Sequence, residues 1–298
     1  MSTPTSQYFP QYKPSLIAAI AVIVAFAVIT VIHFAQIIRN RTFYFIPFAL
    51  GGVCEIVGYI GRSIAAAEYP DCSKLPYILN TIFPLMAPAQ FSAAMYMVLG
   101  HIVQKTGREE LALVRASWRT KIFLLGDVLS GVAQAIGGIM LSKASSKSEV
   151  ERGESFISIG LIIQLAFFSL FLVVSAHYDF QLRNNPTDAS WIFDWQTHLG
   201  VLYFSGGLIL LRTIFRVIEY IQGDDGELRS SEVYIYLFDA ALMLAAMLVF
   251  NFKHPSSLVV EIRGLGPENA EATESNVFLI PERGIKMNSV GERHVASS

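Results

Sequence analysis

Seven stretches of this 298-residue chain are apolar for long enough to cross a bilayer, which constrains its fold more than anything else in it. A helix needs about 20 residues to span roughly 30 Å of hydrocarbon. The runs are Leu16–Ile38, Phe43–Ala66, Tyr77–Ile102, Ile122–Leu141, Phe156–Ala176, Leu199–Tyr220 and Val233–Phe252, together 156 residues. Lipid cannot hydrogen-bond an exposed backbone, so only helices and closed barrels cross it. These runs lack the alternation of barrel strands and are far too long for them. The expected fold class is an all-α integral membrane protein, a bundle of seven transmembrane helices. Composition agrees, with 53% hydrophobic and only 15% charged residues, where a soluble chain carries about 25% charged. A net charge of −2 gives no reason to expect a nucleic-acid partner, and two cysteines make no disulfide framework.

An odd number of spans puts the two ends of the chain on opposite sides. Ten Lys and Arg residues fall on the side of the Arg39-Asn40-Arg41 loop and six on the side of Lys13 and Lys74. The positive-inside rule then places the N-terminus outside and the C-terminus in the cytosol. Trp118, Trp191 and Trp195 fall beside the cytosolic ends, as interfacial anchors should. The sequon Asn40-Arg41-Thr42 would thereby be kept from glycosylation. The first run is too long for a secretory signal and lacks a basic leader and a cleavage site. Three regions follow: an extracellular segment 1–15, a membrane domain 16–252, and a cytosolic tail 253–298 without periodicity, expected to be mostly disordered. Cys54 lies within the second run and Cys72 in the loop after it, so a bond between them would require that loop to fold back into the bilayer.

No lysine falls within a run, yet Glu55, Arg62, Asp127, Arg212, Arg216, Glu219 and Asp239 do. A charge at the bilayer centre costs at least about 2.5–3.5 kcal/mol, so each needs a partner or water. Counted at 1.5 Å per residue, Glu55, Arg212 and Asp239 come to similar depth, with Arg62, Arg216, Glu219 and Glu232 nearer the outer boundary. Spacings of three and four residues put Glu55, Tyr59 and Arg62 on one helix face. They do the same for Arg212, Arg216 and Glu219, and for Glu232, Tyr236 and Asp239. Two readings fit: a polar cavity open to the outside, or structural ion pairs locking the second, sixth and seventh helices together. Both make those helices neighbours.

A thinner polar set lies toward the other side. His33 and Asp127 are at matching depth and could pair, and Gln134 is two turns from Asp127 on the same face. Gly126, Ser130, Gln134 and Gly138 form a small-residue stripe that allows close helix approach, which favours a packing role. Pro84 and Pro88 interrupt the third run, either as a packed kink or as the broken helix of a transport site.

Other chemistries lack their residues. There is no phosphate-binding Gly-x-x-x-x-Gly-Lys loop, no Gly-x-Ser-x-Gly elbow, and no histidine pair at the spacing of a helical zinc site. A retinal protein would need a mid-helix lysine. No enzyme activity, cofactor or metal is expected.

Several segments carry a resemblance. Gly51-Gly-Val-Cys-Glu-Ile-Val-Gly-Tyr-Ile-Gly-Arg62 is similar to the second-span signature of the fungal lipid-translocating exporter family, the Rta-like seven-helix proteins. Ala87-Pro-Ala-Gln-Phe-Ser-Ala-Ala-Met-Tyr96, Asp127 with Gln134-Ala-Ile-Gly-Gly138, and Gly160-Leu-Ile-Ile-Gln164 follow in the family's order. So do Phe215-Arg-Val-Ile-Glu219, Gln222-Gly223, Glu232, Tyr236, Asp239 and His254-Pro255. Glu227 and Ser256 stand where the family often has an aromatic residue and a glycine. The resemblance covers about residues 8–256. It implies an integral membrane protein linked to translocation or efflux of lipids and amphiphiles, such as sphingoid long-chain bases, to resistance against toxic amphiphiles, or to porphyrin traffic. It assigns no catalytic residue.

The leading expectation is therefore a transporter of a cationic or zwitterionic amphiphile. Glu55 and Asp239 would receive the head group, with Arg212 or Arg62 keeping them ionised. Tyr59, Arg216, Glu219 and Tyr236 would complete the site. A seven-helix lipid receptor and a non-transporting regulator of another pump are the alternatives. The partner is a membrane lipid or amphiphilic small molecule, and the sequence names no protein partner. The plasma membrane is the expected location, with vacuole and endoplasmic reticulum the other candidates.

Overall fold

The computed structural model describes residues 14–69, 73–107, 110, 116–144, 146–186, 194–223 and 226–256. The chain divides after Val259, and the second unit lies outside the described residues, as do Cys72, Trp191 and nearly all of the tail. Seven helices are long and apolar enough to cross a membrane. They are α1 (Leu16–Asn40), α2 (Ile46–Glu68), α3 (Lys74–Thr106), α4 (Ala116–Lys143), α5 (Lys147–Asn184), α6 (Trp195–Gln222) and α7 (Glu232–Phe252). A 3-10 turn, Phe43–Phe45, leads into α2, and one helical turn, Glu227–Ser230, precedes α7. No strand occurs among the described residues.

Local chemistry sets the helix ends. The Ser15 hydroxyl accepts the amide of Ala18 at 3.3 Å to start α1, and Arg41 closes that helix in the left-handed region at φ 53°. Pro47 opens α2 at a position where its missing N–H is not needed. The Asp194 carboxylate caps α6 by accepting from the Thr197 amide at 3.3 Å and hydroxyl at 2.8 Å. Those two bonds, the hydroxyl's foremost, hold Asp194 below the usual carboxylate range.

Each helix packs on the next in sequence, and α1 meets α7 to close the ring. The third helix also touches α5 and α6 and is the most deeply buried of the seven. Its side chains Phe91, Met95, Tyr96, Val98, Leu99 and Ile102 are the spine of the main apolar core. Isoleucines, leucines and valines such as Ile17, Val31, Leu125, Val173 and Ile221 are exposed around the outside. A face of that kind is stable against lipid rather than water. The predicted small-residue stripe of α4 is divided between neighbours: Gly126 faces Phe167 of α5, whereas Gly138 faces Ile82 of α3.

Candidate functional site

The buried charges of α2, α6 and α7 converge, and α3 joins them. Arg212 and Arg216 stand one turn apart on α6 and both reach Asp239 of α7. Arg212 Nε donates to Oδ1 at 2.5 Å and Arg216 Nε to the same oxygen at 3.2 Å, while Arg216 Nη2 donates to Oδ2. Both carboxylate oxygens of Asp239 are thus engaged. Arg216 also donates from Nη1 to Glu219 Oε2 at 3.0 Å. Arg212 is fully buried, so its remaining N–H groups need partners inside the protein.

One partner comes from the prolines of α3. In a regular helix the carbonyl of residue 84 would accept the amide of residue 88, but Pro88 has no N–H to give. The Pro84 carbonyl is therefore free, and Arg212 Nη2 donates to it at 2.6 Å. The Pro84-x-x-x-Pro88 spacing was the sequence signal for this contact, which the reading of charged residues alone missed.

Glu55 on α2 faces this network and is treated differently from every other acid in it. Its side chain is fully buried, and neither carboxylate oxygen has a hydrogen-bond partner. Arg212 Nη1 and the Tyr59 hydroxyl are also buried without a hydrogen-bond partner. The charges acting on Glu55 through space are Asp239, Arg212 and Arg216. A carboxylate deprived of both water and donors is costly, so a cationic group brought here would find two oxygens unengaged.

Toward the end of the bundle that carries Ser15, a second layer closes over the first. Arg62 donates from Nη2 to Glu232 Oε1 at 2.9 Å and from Nε to the Tyr236 hydroxyl at 3.3 Å. The Ser15 backbone amide donates to both Glu232 oxygens at 3.0 Å. The Tyr59 ring stacks between Phe26 and Tyr236, at centroid distances of 5.9 and 6.1 Å. Glu232, Tyr236 and Asp239, which the spacing places on one face, meet different partners: Glu232 and Tyr236 meet Arg62 of α2, and Asp239 the arginines of α6. Over Tyr236–Ala240 α7 adopts a π turn, which holds one residue more than an α turn.

The second polar set does not assemble as a pair. His33 Nε2 lies 3.1 Å from the Met247 carbonyl, with its ring against Phe48 and Phe45. Asp127 instead accepts the Ser92 hydroxyl of α3 at 2.7 Å. Gln134 donates to Ser130 at 2.7 Å and to Gln164 of α5 at 3.1 Å. Equal depth along two helices says nothing about where each stands around the bundle. Among the described residues no three His, Cys, Asp or Glu side chains could hold a metal ion.

The chain is similar to several yeast proteins. It is 35% identical over 235 residues to Protein RTA1 of Saccharomyces cerevisiae, covering 78% of this chain and 72% of that one. It is 36% identical over 219 residues to Protoporphyrin uptake protein 1 of the same yeast, covering 72% and 69%. It is 25% identical over 276 residues to Sphingoid long-chain base transporter RSB1, covering 81% and 72%. No solved structure matches it. Residues 48–261, which hold all but the first two residues of α2 and run on through α7, match the family described as RTA1 like protein. By that match and by the identity to its yeast relatives, this multi-pass membrane protein belongs to the RTA1-like family.

Proposed function

We propose that the protein is a transporter that moves single amphiphiles across its membrane, and that Glu55 receives the cationic head group. The observation that carries this reading is the buried Glu55 carboxylate, with both oxygens unpartnered beside three charged neighbours. Asp239 is satisfied by two arginines, which leaves Glu55 as the acid able to bind something new. Relatives named for a sphingoid long-chain base and for protoporphyrin support an amphiphilic cargo, and a protonated long-chain amine is the cargo that suits a carboxylate. The arginines orient Asp239 and, with Tyr59 and Tyr236, would surround the bound head group. The N-terminus is outside, the tail cytosolic, and the host the plasma membrane in this reading.

The test is purified protein in liposomes, offered a fluorescent sphingoid base, a phospholipid and a porphyrin side by side. Translocation of the sphingoid base is expected from the native chain and loss of at least tenfold from Glu55→Gln. Equal rates for both proteins, with correct insertion verified, would sink the assignment of Glu55.

A further inference from the structure

Away from the arginine network, α3 and α4 part to form a cavity of about 350 Å³, within the range of small-molecule sites. Leu85, Ala93, Leu124, Val128 and Val132 supply apolar walls. Of these, Leu124, Val128 and Val132 are also exposed on the outer surface of the bundle at 40–53%, so the cavity opens sideways rather than along the bundle axis. From Leu124 to Ala135 it runs about 16 Å along α4, roughly half the hydrocarbon thickness.

Three polar side chains line this apolar slot, Gln90, Asp127 and Gln134, and the last two are almost fully buried. Asp127 is 4% exposed and Gln134 is 3% exposed. Ser92 donates to Asp127 Oδ2 at 2.7 Å, but Oδ1 has no hydrogen-bond partner. The Tyr96 hydroxyl stands near enough to act on the same carboxylate without reaching hydrogen-bond geometry. The amide nitrogen of Gln134 is used twice, whereas its Oε1 has no partner. Both unfilled atoms are acceptors, one of them on an acid. Such atoms are costly to leave bare in an apolar place.

We infer that this cleft is a lateral binding site for a single-chain alkylammonium lipid. Its ammonium head would donate to Asp127 Oδ1, and its chain would lie along Leu124, Val128 and Val132 in one leaflet. An anionic or purely hydrocarbon occupant would leave that acid oxygen unsatisfied. The site does not depend on Glu55 and can be measured as binding, without transport.

Gly131 supplies the means of testing it. This glycine lines the cleft, and a Cβ built on it meets no atom within 4 Å. Gly131→Phe therefore starts from an unobstructed Cβ and places its ring in the cleft. The probe is a diazirine-bearing dodecylamine, photo-crosslinked to the full chain in nanodiscs and mapped by peptide mass spectrometry. Saturable labelling of α4 is expected between residues 124 and 135. Gly131→Phe and the near-isosteric Asp127→Asn should each cut it at least tenfold, and Glu55→Gln should leave it unchanged. Excess unlabelled dodecylamine should compete, and lauric acid should not. The inference is overturned if Gly131→Phe or Asp127→Asn labels like the native chain. Equal competition by lauric acid would overturn it too, because the acid at the base of the slot would then play no part.

Discussion

Gly58 and Pro84 meet so closely that a Cβ on the glycine would stand 2.3 Å from the proline Cγ and 2.6 Å from its Cδ. This contact sets the approach of α2 to α3 between Glu55 and Arg62. The proline pressed by Gly58 is also the one whose carbonyl holds Arg212. A small residue on one helix thereby governs the position of a charge on another.

Gly58→Ala should destabilise the protein by about 1–3 kcal/mol, the usual cost of overpacking. The proline ring cannot swing aside as a flexible side chain would. Gly207 on α6 offers the control, since a Cβ there meets nothing within 4 Å. Gly207→Ala should be neutral or gain up to about 1 kcal/mol from helix propensity. Thermal melting of the two variants in detergent distinguishes them, and equal melting temperatures would contradict the packing argument.

Asp239→Asn should cost about 3–5 kcal/mol, because it strands two buried guanidinium groups. Glu55→Gln removes no hydrogen bond and should change stability by less than about 1 kcal/mol. The two substitutions are alike in chemistry and adjacent in space, so the contrast isolates the role of the arginines. Folded yield and unfolding in a denaturant series would measure it. A fragile Glu55→Gln protein would mean that the acid is a structural member after all.

His254, just beyond α7, should make the protein acid-sensitive. Burial pushes its imidazole down to about 4, from an ordinary value near 6.5. The Phe45 ring stands edge-on to it at 5.2 Å and His33 of α1 faces it at 6.3 Å. Below the ordinary value the unfolded chain takes up the proton first, so stability is complete above about pH 6.5 and is lost as pH falls toward 4. His254→Phe should lose less stability over that interval in melting experiments run from pH 7.5 to 4. An unchanged slope would show that the loss arises elsewhere.

Spans and depths were legible because each rests on a one-dimensional quantity, apolar length or rise per residue. Apart from the 3-10 turn Phe43–Phe45 that leads into α2, the seven runs fall within the seven membrane-spanning helices, and Glu55, Arg212 and Asp239, read at similar depth, belong to one charged network. Angle about the bundle axis was not legible. The proposed partnership of His33 with Asp127 failed on it, since one turns toward Met247 and the other toward Ser92. The π turn of α7 escaped for a related reason: a spacing rule assumes 3.6 residues per turn throughout. Ser92 and the Ser15 amide carried no charge or repeat to draw notice, although each donates to a carboxylate.

The length of α5 gives the protein a gauge of the membrane around it. Its 38 residues extend beyond the predicted run Phe156–Ala176 at both ends. Arg152 and Arg183 are both exposed, and 31 residue steps separate them, about 46 Å of axis. The exposed positions between them carry no charge and include Phe156, Ile159, Ile162, Leu170, Val173 and Phe180. That distance matches a bilayer of about 40–45 Å measured from headgroup to headgroup. Either arginine would be drawn into hydrocarbon by a much thicker membrane, and a much thinner one would force the helix to lean. Bilayer thickness is thus a physical variable that bears on the bundle through a single helix.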